Sequence, residues 1–124
     1  MSENKLIGRG KVVFNLIPNA NNLLDIGCAS GYDTKYFLKK AEKVYAVDCN
    51  KKFIDIAKRK YPKIDFKVSF AENLPFNKEM FDVVVLGDVL EHVDNEEKTI
   101  IEIHRVLKKN GYLILSVPNK GFFS

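Results

Sequence analysis

Two short stretches of this chain carry residue types suited to holding a polar ligand. The first is Asp25-Ile26-Gly27-Cys28-Ala29-Ser30-Gly31, where an apolar run gives way to a turn containing two glycines. A glycine at position 27 lets the backbone turn sharply and leaves room where a Cβ would intrude on a ligand. Gly31 permits close packing as a helix begins, and a helix N-terminus presents unpaired N–H groups to an anionic group. Many strand-to-helix turns carry glycine, so this stretch alone points nowhere specific. The second is Asp48, which ends the next apolar run. It follows the glycine turn by roughly 20 residues, the spacing at which an acidic side chain meets ribose hydroxyls. A carboxylate accepts both hydroxyl protons at once. The plain alternative is a solvated turn aspartate; with the glycine turn in place, the pair reads as a nucleoside site.

A dinucleotide site would want Gly-x-Gly-x-x-Gly, so that a pyrophosphate could sit on the turn. Here Ala29 replaces the middle glycine and the pattern is Gly-x-x-x-Gly. That favours a ligand without a pyrophosphate and counts against a nucleotide-dependent oxidoreductase half.

The elements that must position these residues alternate between short apolar runs and amphipathic stretches. A helix is expected from Arg9 to Ile17, stopped by Pro18, and then a polar turn over Asn19-Ala20-Asn21-Asn22. Leu23 to Ile26 reads as a buried strand and Tyr32 to Lys40 as a helix. Lys43 to Val47 is a second strand ending in Asp48. Asn50 caps a helix running to Lys60, with Phe53, Ile56, Ala57 and Lys60 on one face. Ile64 to Val68 alternates like a strand with one exposed face, and Phe81 to Leu86 is nearly continuously apolar, as in a strand covered on both sides. Asp94 starts a further helix, with Glu97 three residues on as in a capping box and Ile100, Ile103 and Leu107 as its buried stripe. Gly111 ends that helix, and Tyr112 to Val117 is the fifth strand. Strand and helix in alternation specify an α/β fold with a parallel sheet and right-handed crossovers. Such sheets bind ligands outside the carboxyl ends of their strands, where Asp25, Gly27 and Asp48 all fall.

At these motifs the chain resembles the class I S-adenosylmethionine-dependent methyltransferases, over nearly its whole length. Leu24 to Gly31 looks like the family's first motif, with Ala29 where a glycine is usual, and Asp48 matches its ribose-binding acid. Ala71-Glu72-Asn73-Leu74-Pro75-Phe76 resembles the segment that lies along the adenine. Phe81-Asp82-Val83-Val84-Val85 and Asp88-Val89-Leu90-Glu91-His92-Val93 look like the fourth strand and the loop after it. The resemblance implies a doubly wound, mostly parallel open sheet of order 3-2-1-4-5 in one cofactor-binding core domain spanning residues 1–124. The usual sixth and seventh strands are absent, as if the core were cut short after the fifth. It further implies S-adenosyl-L-methionine as cofactor, held by Asp25, Gly27, Cys28, Ala29, Gly31, Asp48, Cys49, Phe70, Ala71, Glu72 and Gly87. Members similar to this chain often carry an aspartate where Phe70 stands, to accept a proton from the adenine amino group. Phenylalanine cannot do so, which leaves the Ala71 backbone N–H and apolar contact to recognise the ring.

The implied reaction is methyl transfer from a sulfonium to a nucleophile. A base is needed only if the acceptor must lose a proton, and His92 is the candidate, with a capping or packing histidine as the plain alternative. Asp88, Glu91 and His92 also resemble a divalent-metal cluster of some relatives, but a further histidine expected after the fifth strand is missing, so no metal is assigned. His104 reads as a helix residue. Cys28 and Cys49 read as small apolar fillers beside the cofactor, reduced in a cytoplasmic setting.

Composition narrows the partners. A net charge of +4 is spread over Lys39-Lys40, Lys51-Lys52, Lys58-Arg59-Lys60 and Lys108-Lys109, near helix ends where the macrodipole and solvation explain it. No aromatic-interleaved basic stripe indicates nucleic acid, so a small-molecule acceptor is expected. No apolar run is long enough to span a membrane. A fifth strand this apolar at the sheet edge, followed by Phe122-Phe123, calls for cover from a dimer or another subunit. The alternative reading is a non-catalytic or regulatory cofactor-binding module that needs a missing C-terminal region or partner.

Overall fold

The order of elements along the chain is helix, strand, 3-10 helix, strand, helix, strand, strand, helix, strand. The strands are β1 (Ala20–Ile26), β2 (Ala41–Asp48), β3 (Asp65–Val68), β4 (Phe81–Gly87) and β5 (Leu107–Ser116). The helices are α1 (Gly8–Leu16), α2 (Lys51–Lys60) and α3 (Glu96–Val106), and the 3-10 helix spans Thr34–Lys39. The computed structural model describes residues 8–87 and 93–116. All strand pairs are parallel, in the order β3-β2-β1-β4-β5, so the α/β fold and strand order expected from the sequence are those found. The order reverses between β1 and β4, and the crevice at that switch point is where such sheets take ligands.

Each face of the sheet has its own core. Val13 of α1, Phe37 of the 3-10 helix and Ile54 and Ala57 of α2 pack on Leu23, Val44, Val83 and Val85. On the other face Ile103 and Val106 of α3, with Leu74 and Phe76, pack on Leu24, Tyr45, Val84 and Leu86. Alternate residues of β1 and β4 feed opposite cores, which is why those strands read as continuous apolar runs.

Several elements depart from the sequence expectation. β1 begins at Ala20, inside the expected polar turn, because the Asp82 carboxylate accepts the N–H groups of Asn21 at 3.1 Å and Asn22 at 2.8 Å, while Ala20 N–H donates to the Lys40 carbonyl at 2.8 Å. The expected helix over 32–40 is a tighter 3-10 helix that buries Thr34 and Phe37, three residues apart on one face. α2 buries Ile54 and Ala57, whereas Phe53 and Ile56 stay largely exposed. It lies over the β2–β3 edge of the sheet, where only a narrow stripe finds cover. Asn50 does cap it, accepting from the N–H groups of Lys52 and Phe53.

α3 is capped by Asn95 rather than Asp94, with Asn95 Oδ1 accepting the Lys98 N–H at 3.0 Å, and Glu97 takes no part. The Asp94 N–H is instead bound by Glu72. The buried stripe is accordingly Thr99, Ile103 and Val106, and Ile100 is exposed. Gly111 ends no helix. Leu107 already pairs with Phe81, and residues 108–111 bulge out before Tyr112 pairs with Val83. A Cβ at Gly111 would lie 2.9 Å from the Lys108 carbonyl oxygen, and Asn110 beside it has φ 65°, so the bulge depends on these two residue types.

Candidate functional site

Two clefts open at the carboxyl ends of the strands. One, of about 440 Å³, is lined among others by Asp25, Cys28, Ser30, Asp33 and Ser116. The other, of about 370 Å³, is lined among others by Val47, Asp48, Cys49, Phe70, Ala71 and Glu72. Both contain Gly27 and Gly87, so the ends of β1 and β4 form the saddle between them. A larger depression of about 800 Å³ lies at the opposite end of the strands, lined by Lys39, Lys40, Lys108 and Lys109 among others. It contains none of the site residues expected from the sequence.

The glycine turn takes a shape its composition only partly explains. Gly27 has φ 83° and Gly31 φ 87°, a region that glycine enters without strain. A Cβ at Gly31 would meet Phe66 Cζ at 3.0 Å and Tyr61 Cδ2 at 3.1 Å, so that glycine serves close packing. Ala29, with φ 51°, adopts the left-handed region despite its side chain. The turn is anchored to β2, since the N–H groups of Gly27 and Cys28 both donate to the Val47 carbonyl, at 2.8 and 3.1 Å. Asp48 completes the anchor: Oδ2 accepts the Ala29 N–H at 2.8 Å and Oδ1 the Asn50 N–H at 2.9 Å. A carboxylate offers about four acceptor sites, so two remain for the hydroxyls of a ribose.

Asp25 lies beneath the turn, 7% exposed. The hydroxyl of Thr34, itself fully buried, donates to its Oδ2 at 2.7 Å. No hydrogen bond among the described residues reaches Oδ1. Burial lifts the Asp25 carboxyl to about 7, the Thr34 hydroxyl opposes this, and the charges of Asp33 and Asp48 add to it. Burial, followed by Asp25 and Asp48, also holds the Cys28 thiol far above the ordinary cysteine range, which favours the protonated thiol. Cys49, by contrast, is exposed at the rim of the other cleft.

That second cleft is walled by the segment after β3. Phe70 is 66% exposed, so its ring is open to a ligand, and Ala71 is buried. The Ala71 N–H donates to no group among the described residues. Glu72 lines the cleft but also fastens it: Oε2 accepts the N–H groups of Asp94 and Asn95, at 2.9 and 3.2 Å. Arg105 of α3 holds the same segment from behind. Its guanidinium donates to the carbonyls of Phe76 at 2.8 Å and Leu74 at 3.0 Å and pairs with Glu102, which in turn accepts the Leu74 N–H.

The structure thus brings all of the expected cofactor residues to the two clefts except Gly31, which packs behind the turn. Asp88, Glu91 and His92 lie outside the described residues. Sequence reasoning missed Thr34 and Arg105. Thr34 carries a faint signal, a hydroxyl where a buried aspartate needs a donor, whereas Arg105 looks like any helix arginine until the fold is known.

Comparison with known proteins adds the family. A family model described as "Methyltransferase domain" matches residues 24–115. The ubiquinone biosynthesis O-methyltransferase of Pelagibacter ubique is 36% identical over 102 residues, covering 79% of this chain and 42% of that protein. A Mycobacterium tuberculosis protein named as a probable S-adenosylmethionine-dependent methyltransferase is 32% identical, covering 98% of this chain and 46% of its own length. Among solved structures, the YcgJ protein of Bacillus subtilis superposes with a TM-score of 0.77 at 26% identity, over 86% of this chain and 48% of that one. The chain spans about half the length of the relatives it matches. Among the described residues no helix is long and apolar enough to cross a membrane.

Proposed function

The chain belongs to the methyltransferase domain family of class I S-adenosylmethionine-dependent enzymes, and from that premise we propose that it is the cofactor-binding core of a methyltransferase acting on a small-molecule acceptor. The observation that carries this reading is the pair of clefts joined at Gly27 and Gly87, one beside Asp48 and one above Asp25. A nucleoside joined to a charged amino-acid tail has the shape and polarity to lie across that saddle. Among the described residues the donors and acceptors fit it: two acceptor sites left on Asp48, an unused Ala71 N–H, and a buried Asp25 oxygen without a donor.

In this reading Asp48 takes the ribose hydroxyls. Phe70 and the Ala71 N–H take the adenine, with Cys49 and Glu72 as walls. Asp25, Gly27, Cys28 and Ala29 take the amino-acid end, Gly31 sets the turn, and Gly87 leaves the saddle open. The bound cofactor supplies a methyl group on a sulfonium, a good leaving group. The chain's contribution is then to hold that group in line with the acceptor and keep water away. His92 is assigned the acceptor's proton where one must leave. The ubiquinone-pathway relative supports a small-molecule acceptor. The two free cysteines suit a cytoplasmic setting.

A second reading, a cofactor-binding or regulatory module that needs a further region or partner subunit for turnover, is favoured by β5. Its Tyr112, Leu113 and Leu115 are exposed on the outermost of the described strands, an apolar surface suited to a dimer or partner. Calorimetric titration with S-adenosylhomocysteine tests the shared premise. Saturable one-to-one binding, with none of a nicotinamide dinucleotide, is expected; a folded chain that binds neither overturns both readings. Methylation of a phenolic acceptor separates the two.

A further inference from the structure

Among the side chains that the structure describes, no lysine, arginine or histidine acts on Asp25. It is buried between Ala46 of β2 and Val85 of β4, its neighbours in the sheet. The titratable groups that act on it are Asp33 before the 3-10 helix and Asp48 at the end of β2, and the Cys28 thiol lines the same cleft. The first two are acids, and the thiol stays protonated. α1, β4 and β5 contribute Val13, Val85 and Ser116 to the same cleft, none of them charged. A buried carboxylate with one hydroxyl donor and two acids nearby cannot stay ionised cheaply. Yet Asp25 lines a cleft that a ligand can enter.

We propose that Asp25 is a proton-coupled counter-ion: it holds a proton in the cofactor-free chain and releases it when a cationic ligand group enters the cleft. The inference rests on the cofactor reading, in which the cation is the ammonium of the cofactor's amino-acid end. The balance is simple, because the carboxylic acid loses its proton to the buffer and the carboxylate pairs with the ammonium. Affinity then depends on pH through this one group. As pH falls below the cofactor-free value of about 7, a proton competes with the ligand and binding weakens.

The test is titration of the full chain with S-adenosylhomocysteine across about pH 6 to 8, in buffer pairs of different ionisation enthalpy. About half a proton released per ligand at neutral pH is expected, rising towards one at pH 6, with affinity roughly tenfold weaker at pH 6 than at pH 8. 5′-Methylthioadenosine, which lacks the amino-acid end, is expected to bind without releasing a proton. Asp25→Asn is expected to abolish both the release and the pH dependence. Should that variant not fold, carbon-13 NMR titration of the wild-type Asp25 carboxyl, with and without S-adenosylhomocysteine, reads the same proton directly. Tight binding with neither proton release nor pH dependence overturns the inference and leaves the cofactor reading standing. No binding by a folded chain overturns the cofactor reading, and the inference falls with it.

Discussion

Asp48 Oδ2 accepts the Ala29 N–H at 2.8 Å, so the acid that ends β2 holds the turn that ends β1 in place. The same carboxylate is therefore both a scaffold and a candidate ligand group, and substitutions should separate the two roles. Asp48→Ala is expected to lower stability by about 1–2 kcal/mol through the lost charge-assisted hydrogen bonds. It is also expected to weaken S-adenosylhomocysteine binding at least 100-fold, an order-of-magnitude figure for two lost charged contacts. Asp48→Asn keeps one acceptor oxygen and should fall between. Urea unfolding and calorimetry measure the two effects; unchanged affinity in Asp48→Ala would remove this residue from the site.

Ala29 sits at φ 51°, where a Cβ costs roughly 1–2 kcal/mol and glycine costs nothing sterically. Ala29→Gly relieves that strain but adds about 0.4–1 kcal/mol of unfolded-chain entropy. The net expectation is a gain of about 0–1.6 kcal/mol, with cofactor binding kept. A clear loss of stability would mean that the Ala29 methyl group makes packing contacts worth more than the strain.

Arg105 touches neither cleft, yet it holds the 70–76 segment to α3 through two carbonyls and Glu102. The hydrogen bond from Arg105 and its charge keep the Glu102 carboxyl below its ordinary range despite partial burial. Arg105→Ala is expected to cost about 1–3 kcal/mol and to weaken S-adenosylhomocysteine binding several-fold by loosening the Phe70–Ala71 wall. Arg105→Lys should recover little, because a point charge cannot replace a planar fork. Thermal melts and binding isotherms on both variants decide this; full affinity in Arg105→Ala would show that the wall is held without it.

The Asp25 carboxyl titrates at about 7 in the folded chain against an ordinary value of 3.8. Because the folded value is the higher, the folded chain binds the extra proton between those limits. The contribution to stability is therefore full at pH below 3.8, declines as pH rises towards 7, and is gone above it, an upper bound of about 4 kcal/mol. Burial raises Asp33 too, which acts in the same direction. Without cofactor, urea unfolding should show lower stability at pH 8 than at pH 5.5, and Asp25→Asn should flatten most of that slope. A wild-type stability independent of pH over this window would contradict the burial argument.

The anchors of the site were legible in the sequence because each depends on local chemistry. A positive φ at residue 27 demands glycine, a helix start after residue 50 uses a side-chain acceptor, and an acid about 20 residues beyond a glycine turn has a recognisable spacing. The rest was hidden for a physical reason. Phe53 and Ile100 are apolar at helical spacing, but whether such a residue is buried depends on how the helix is rotated against the sheet, a property of tertiary packing. The cap of α3 falls on Asn95 and not Asp94, whose N–H is taken by Glu72, more than twenty residues earlier.

By itself, then, the sequence determined the strand–helix alternation, and with it a parallel sheet, because periodicity and turn residues act over a few positions at a time. It also determined which acids and glycines stand at the strand ends. Only the tertiary structure decided that two clefts meet at Gly27 and Gly87, that the Thr34 hydroxyl faces the buried Asp25, and that Arg105 braces the wall carrying Phe70. Those relationships join residues distant in the chain, and the charge state of a buried group such as Asp25 follows from what folding removes around it, which is water, and from what it fails to supply.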